Sequence, residues 1–279
     1  MATTPIAPAN APTLLGVSLA GLMVVTGCSS EPADPDPSGT EVATDAHRGV
    51  EALLDPQARP DQHGVGAGAQ RAASFGFDRQ IVATDDEIST ARDEANERQD
   101  QAEATQVSPS SCQQAIAKMD WSPLLADSEQ ITRLDFGTET FNGAGTIEIA
   151  GLDAERGGGA QAQEQLDAYQ ATVEELTGDC SEVDLDIPSG ETTLTYTMRS
   201  EAVEPDQGSG LLWSRVPRGS ATQQHGEAVT ALVLTTEHDG YAVMVSFAGD
   251  SEVSSEEFHT MADEILEATL SGIDGEVNS

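Results

Sequence analysis

The sequence predicts an α+β fold, a mostly antiparallel sheet packed against two or three helices, on three observations. After Cys180 the apolar residues recur at every second position through five successive stretches, as expected of strands with one buried face. Helical spacing interrupts the strands once, at Leu166, Tyr169, Val173 and Leu176, and returns near the C-terminus at Met261, Ile265 and Leu266. His238-Asp239-Gly240 joins the last two strands as a tight hairpin, the strongest local signal in the chain. Hairpin-linked strands with helices before, within and after them stack as helices on a sheet.

From the N-terminal side, Val50, Leu53 and Leu54 make a short helical face, and Gly64 to Gly68 read as a loop. Phe75, Phe77, Ile81 and Val82 suit one short strand. Thr84-Asp85-Asp86-Glu87 fits a capping box for a helix reaching Ala104, whose single large apolar residue is Ile88. A helix polar on every face bridges solvent or frays, so residues 48–105 read as an accessory segment, partly helical or disordered. The packed α+β domain is expected over residues 106–273.

That domain opens with Ser108 as N-cap and Pro109 at the first helical position, with Cys112, Ile116 and Met119 at helical spacing up to about Trp121. Leu134 and Phe136, then Ile147 and Ile149, alternate on two strands that turn at Asn142-Gly143. Gly157 to Gly159 open the second helix and Gly178 stops it. Strands follow on Val183, Leu185 and Ile187, on Leu194, Tyr196 and Met198, and on Leu211 to Val216 around Trp213. The last two carry Val229, Leu232 and Leu234, then Tyr241, Val243, Val245 and Phe247. For the closing helix the pattern predicts Ser254 as N-cap, a Val253–Phe258 staple and Glu257 completing a capping box, with a disordered tail over 274–279.

Leu14 to Val25 form an uncharged run of about 18 Å as a helix, too short for the roughly 30 Å hydrocarbon core, and read as part of a signal peptide over 1–27. Val25-Thr26-Gly27-Cys28 resembles the lipobox of bacterial lipoproteins, in which the cysteine thiol receives a diacylglycerol and becomes the first mature residue. No Lys or Arg precedes Arg48, so the basic n-region usual in such signals reduces to the α-amino group. Residues 28–47, with Glu31-Pro32, Asp34-Pro35 and Asp36-Pro37, read as a disordered acidic tether.

The 49 Asp and Glu against 12 Lys and Arg give a net charge of −37, which excludes nucleic acid as a partner. Three cysteines exclude a disulfide-dense scaffold and a Cys-based zinc cluster. No serine stands in a nucleophile elbow, and the five histidines are dispersed. Asp184 and Asp186 followed by Ser189-Gly190-Glu191 fail as a calcium loop, and Gly157-Gly158-Gly159 lacks the Lys and Ser/Thr of a phosphate loop. No catalytic residue, metal site or cofactor is therefore assigned. Trp121 and Trp213 line a ligand cleft or anchor the core, the latter favoured in a chain with 4% aromatic residues. With Cys28 lipidated, the remaining Cys112 and Cys180 form an even count in an oxidising compartment, each near a helix end, and are expected to pair; two separately buried thiols are the alternative.

Ala52-Leu53-Leu54-Asp55-Pro56, Val107-Ser108-Pro109 with Cys112 and Trp121, and Cys180 at a helix end together resemble actinobacterial cell-envelope lipoproteins and the extracellular sensor domain of PknH-like serine/threonine kinases. The resemblance spans about residues 50–273 and implies a non-catalytic α+β domain, with a cleft between sheet and helices, held outside the membrane. The kinase and transmembrane parts of such kinases are absent, and fewer cysteines stand here than in their sensor domains. The expected role is that of a lipid-anchored extracytoplasmic binding or sensor-like lipoprotein on the cell membrane. Its partners would be the membrane, through the anchor, and an unknown small molecule, lipid or envelope protein. Envelope scaffolding through protein contacts is the rival reading, and an envelope hydrolase stands behind both.

Lipidation at Cys28 predicts that metabolic labelling with a palmitate analogue marks the wild type and misses Cys28→Ser. Equal labelling of both would remove the anchor.

Overall fold

A computed structural model describes residues 47–190, 192–219 and 227–275. The signal peptide over 1–27, Cys28, all but the last residue of the tether, and the tail beyond 275 lie outside the described residues. One sheet of ten strands runs through the molecule. In chain order the strands are β1 (His47–Arg48), β2 (Arg79–Val82), β3 (Gln106–Ser108), β4 (Ile131–Gly137) and β5 (Gly143–Gly151). They continue with β6 (Glu182–Ser189), β7 (Thr192–Val203), β8 (Ser209–Pro217), β9 (Val229–His238) and β10 (Tyr241–Gly249). Their spatial order is β1-β2-β4-β5-β10-β9-β8-β7-β6-β3, antiparallel except for β1 beside β2. The α+β class predicted by the sequence is the fold observed.

Alternation gives this sheet two different faces. One carries Leu134 and Phe136 of β4, Ile147 and Ile149 of β5, Leu232 and Leu234 of β9, and Val243, Val245 and Phe247 of β10, all buried under helices α2 (Pro60–Ser74) and α6 (Glu256–Ile273). Five of the six phenylalanines, Phe77, Phe136, Phe141, Phe247 and Phe258, meet there edge to face or tilted. The opposite face holds Leu185, Met198, Leu211 and Trp213, covered by α4 (Gln113–Lys118) and α5 (Ala162–Thr177). A short helix, α1 (Val50–Leu53), and the long α3 (Asp85–Ala104) complete the set.

The hairpin at Asp239-Gly240 forms as expected, with φ of 46° and 76° at its two central residues, the pair of positive values that matches strand twist. Cys112 and Cys180 are bonded, with Cα atoms 5.6 Å apart and both side chains buried. The bridge ties the 3₁₀ turn ahead of α4 to the turn after α5.

Four expectations need correction. Gly64 to Gly68 are not a loop but the middle of α2, where small residues let the helix lie against α6. A Cβ on Gly64 would come within 2.7 Å of Ile273 Cγ1, and one on Gly272 within 2.7 Å of the His63 carbonyl oxygen. Propensity favours a loop there, and the tertiary contact overrides it. Helix α3 is capped by Thr84 and Glu87 as expected, yet it does not stand in solvent: Ile88, Ala91, Ala95 and Ala102 form a buried face of small residues. Residues 48–105 are therefore built into the fold, with β2 paired to β4. Ser108 does not cap a helix, because it ends β3 opposite Asp184 of β6; α4 starts five residues later. The cap of α6 is Ser255, whose Oγ accepts the Phe258 N–H, since a 3₁₀ turn over Ser251–Ser254 absorbs Ser254.

The start of α2 is fixed by a buried carboxylate. Asp61 accepts two hydrogen bonds from the Arg59 guanidinium, at 3.0 and 2.8 Å, and one from the Thr132 hydroxyl of β4 at 2.6 Å. A buried charge with three donors is well compensated.

The α2–α6 contact predicts that Gly272→Ala lowers stability by about 1–3 kcal/mol, because backbone atoms of the facing helix must move, even though alanine gains about 1 kcal/mol in helix propensity. Thermal unfolding measures it; an unchanged or raised midpoint would mean that the helices separate without cost.

Candidate functional site

The sheet's second face is filled by large side chains only on the β6–β8 side. Towards the centre, β5 turns Ala144, Thr146 and Glu148 to this face, β10 turns Met244, Ser246 and Ala248, and β9 turns Ala231 and Val233. Most of these are small or polar, so they leave the covering layer unsupported and a cavity of about 110 Å³ opens above them. As the room open to a water molecule's centre, that volume takes on the order of four to eight waters or the body of a small molecule. Ala144, Thr146, Ser246 and Ala248 remain half-exposed, so the cavity opens to solvent along β5 and β10.

The roof comes from three segments. Helix α3 contributes Ala95 and Arg98, the stretch after α4 contributes Met119, Asp120, Trp121 and Leu124, and α5 contributes Tyr169. Each is held by a specific contact. The Arg92 guanidinium of α3 donates to the carbonyl oxygens of Leu124 at 2.7 Å, Ala126 at 3.1 Å and Ser128 at 2.9 Å, which fastens α3 to the loop. The Leu124 N–H donates to Glu148 Oε2 at 3.2 Å, joining loop and floor. The Cys112–Cys180 bridge holds α4 beside α5, and the Trp121 and Tyr169 rings lie 5.1 Å apart.

Charge inside the cavity is arranged in two ways. Arg133 on the floor is closed on itself, with Glu148 at 2.6 Å and Asp135 at 2.7 Å. Arg98 and Asp120 on the roof are not: among the described residues neither makes an ion pair, and Asp120 Oδ2 is enclosed without a hydrogen-bond partner. Burial pushes the Asp120 carboxyl up to about 6, against the pull of Arg98 and Arg215. Burial likewise raises the Tyr169 phenol. Behind Met119 and Trp213 lies a smaller apolar void of about 10 Å³ that Arg215 also lines. Arg215 is 3% exposed, its Nε and Nη1 lack partners among the described residues, and its guanidinium rests 4.6 Å from the Tyr196 ring centre. Burial lowers its proton affinity.

Of the residues singled out in the sequence, Cys28 lies outside the described residues and Cys112 and Cys180 buttress the roof. Trp213 is a core residue, 5% exposed, one side of which is also cavity wall, while Trp121 is half-buried at the roof. Arg98, Asp120, Thr146 and Ser246 escaped the sequence reading, and Tyr169 was read only as part of a buried helical face. The available signal was the run of small and polar residues on the alternate positions of β5 and β10, opposite a face of large apolar ones. Gly157 to Gly159 form no anion cradle, because the amides of Gly158 and Gly159 donate to the carbonyl oxygens of Asp153 and Asp127. Asp184 and Asp186 both pair with Arg218, at 2.9 and 3.1 Å.

No family model matches the chain, and no curated protein matches it. Among solved structures, the extracellular domain of PknH from Mycobacterium tuberculosis is similar, with a TM-score of 0.41 and 11% sequence identity over 74% of this chain and 91% of that chain. Among the described residues no helix is long and apolar enough to cross a membrane.

Because the Asp120 carboxyl is raised from 3.8 to about 6 in the folded state, the native protein holds its proton more tightly than the unfolded chain does. Stability therefore falls as pH rises from about 4 through 6 and stays lower above it. Asp120→Asn lacks this loss. It is expected to be more stable than wild type by about 1–3 kcal/mol at pH 7.5 and to converge with it at pH 4. Denaturant unfolding at both pH values checks this; a pH-independent difference would show that Asp120 is ionised normally.

Proposed function

We propose that the protein is a lipid-anchored, extracytoplasmic binding module that holds a small molecule in the cavity between sheet and helices without transforming it. The observation that carries the reading is the cavity: an opening in an otherwise packed domain, walled by aromatic rings and by charged groups left without partners. Buried polar groups are ordinarily satisfied, and ligand sites are where the exceptions gather. The Val25-Thr26-Gly27-Cys28 motif supports anchoring, since two or more acyl chains suffice for stable membrane attachment. Absence of turnover is proposed because the cavity's serines, Ser122 and Ser246, have no histidine among the lining residues to activate them.

The scaffolding alternative asks for a continuous exposed apolar patch. The large exposed apolar residues among those described are Leu54, Ile81 and Val216, and Ile81 on β2 lies five strands away from Val216 on β8. That distribution favours the ligand reading.

The protein released from its own membrane in mild detergent is expected to carry a small-molecule mass adduct in native mass spectrometry. Ser246→Phe, which fills the cavity floor, should lose the adduct while keeping the far-ultraviolet circular dichroism of the wild type. Persistence of the adduct in Ser246→Phe would place binding elsewhere, and conversion of the released ligand on incubation would make the protein an enzyme.

A further inference from the structure

We propose that the cavity takes a small zwitterion of the α-amino-acid type, its carboxylate against Arg98 and its ammonium against Asp120. This inference rests on the ligand-binding reading and names the class of ligand for that same cavity. Its observation is a mismatch in an otherwise paired site. Arg133 and Glu148 neutralise each other on the floor at 2.6 Å. Arg98 and Asp120 line the same space with opposite charges, close enough for the guanidinium to act on the carboxylate, yet do not close into a pair within 4 Å.

Two opposite charges held near each other and apart in a partly enclosed site leave a gap that one molecule bearing both complementary charges fills. A planar guanidinium matches a carboxylate bidentately, and a carboxylate accepts from an ammonium, so each contact is charge-assisted. A ligand with one charge meets one partner and leaves the other without a direct contact in the site, with Arg215 alone acting on Asp120 from behind Trp213. The neighbouring Trp121 and Tyr169 rings supply an apolar wall for a side chain, and the opening along Thr146 and Ser246 leaves it a way to solvent. The volume suits a head group with a short side chain rather than a long lipid.

The test is isothermal titration calorimetry of the full chain in detergent with four isosteric probes: L-leucine, L-leucinamide, 4-methylpentanoate and 4-methylpentanamide, with glucose as an uncharged polar control. Leucine is expected to bind saturably, and each probe that lacks one charge to bind about tenfold more weakly or worse. Arg98→Gln should abolish the preference for leucine over leucinamide. Asp120→Asn should abolish the preference for leucine over 4-methylpentanoate. A merely structural role for either residue would weaken all probes alike and would not exchange one preference for another. Equal binding of 4-methylpentanamide or glucose, or no binding of any probe by a protein that carries a Ser246→Phe-sensitive native adduct, would overturn the zwitterion and leave the binding module standing. No binding together with no adduct would overturn both.

Discussion

Strands β5 and β10 pair along their whole length, from Gly143 opposite Gly249 to Gly151 opposite Tyr241, and this ladder decides which side chains can meet. Period-two alternation sends Ile147, Ile149, Val243, Val245 and Phe247 to one face and Ala144, Thr146, Met244, Ser246 and Ala248 to the other. A one-residue slip of either strand would turn over its set and put two large apolar side chains of β5, or three of β10, into the cavity. The first face consequently closes into a dry core of isoleucine, valine and phenylalanine. The second, Met244 apart, carries side chains too small to fill the space beneath the helices. Opening and core are thus two consequences of the same register.

An unfilled space under a helical layer invites collapse, so the roof needs supports that do not depend on contact with the floor. Three are present. The Cys112–Cys180 bridge closes a loop of 68 residues, which in the chain-entropy account stabilises the fold by about 4 kcal/mol. Arg92 holds the loop through the carbonyl oxygens of Leu124, Ala126 and Ser128. Glu148 takes the Leu124 N–H while paired to Arg133, so this link between floor and roof is charge-assisted. Aromatics divide between the faces: five phenylalanines and Tyr241 fill the core under α2 and α6, and Trp121, Tyr169, Tyr196 and Trp213 lie on the cavity side.

What the sequence made legible was local or periodic. The turn at Asp239-Gly240 requires two residues tolerant of positive φ and has them, and the alternation after Cys180 places β6 to β10 without tertiary information. Helix α2 was hidden because Gly64, Gly66 and Gly68 argue against a helix by propensity, while the purpose of Gly64 and Gly68, the close approach of α6, involves residues some two hundred positions away. The buried face of α3 was hidden because alanine reads as neutral in a polar helix. The site was hidden for a related reason. Strand alternation draws the eye to large apolar residues, and the cavity is made by their scarcity at the opposite positions, with Arg98 brought in by α3 and Asp120 by the turn after α4, whose placement depends on a disulfide and an arginine clamp. The cysteine pairing itself was legible because counting and compartment suffice for it.

Electrostatics at long range and at contact act differently on the three kinds of small ligand. With a net charge of −37 the molecule repels anions well before they reach the cavity and draws cations to its surface at large. Most of its arginines are committed to carboxylates, as Arg59 is to Asp61, Arg156 to Asp153 and Asp239, and Arg218 to Asp184 and Asp186, so they offer an approaching anion little. Arg98 is open, but a lone carboxylate reaching it crosses the repulsive field and leaves Asp120 unpaired. A lone ammonium reaching Asp120 competes with many exposed carboxylates and leaves Arg98 unpaired. A zwitterion has no net charge for the distant field to act on. Its selection therefore falls entirely on the two contacts inside the cavity, where the low-dielectric walls make each of them count most.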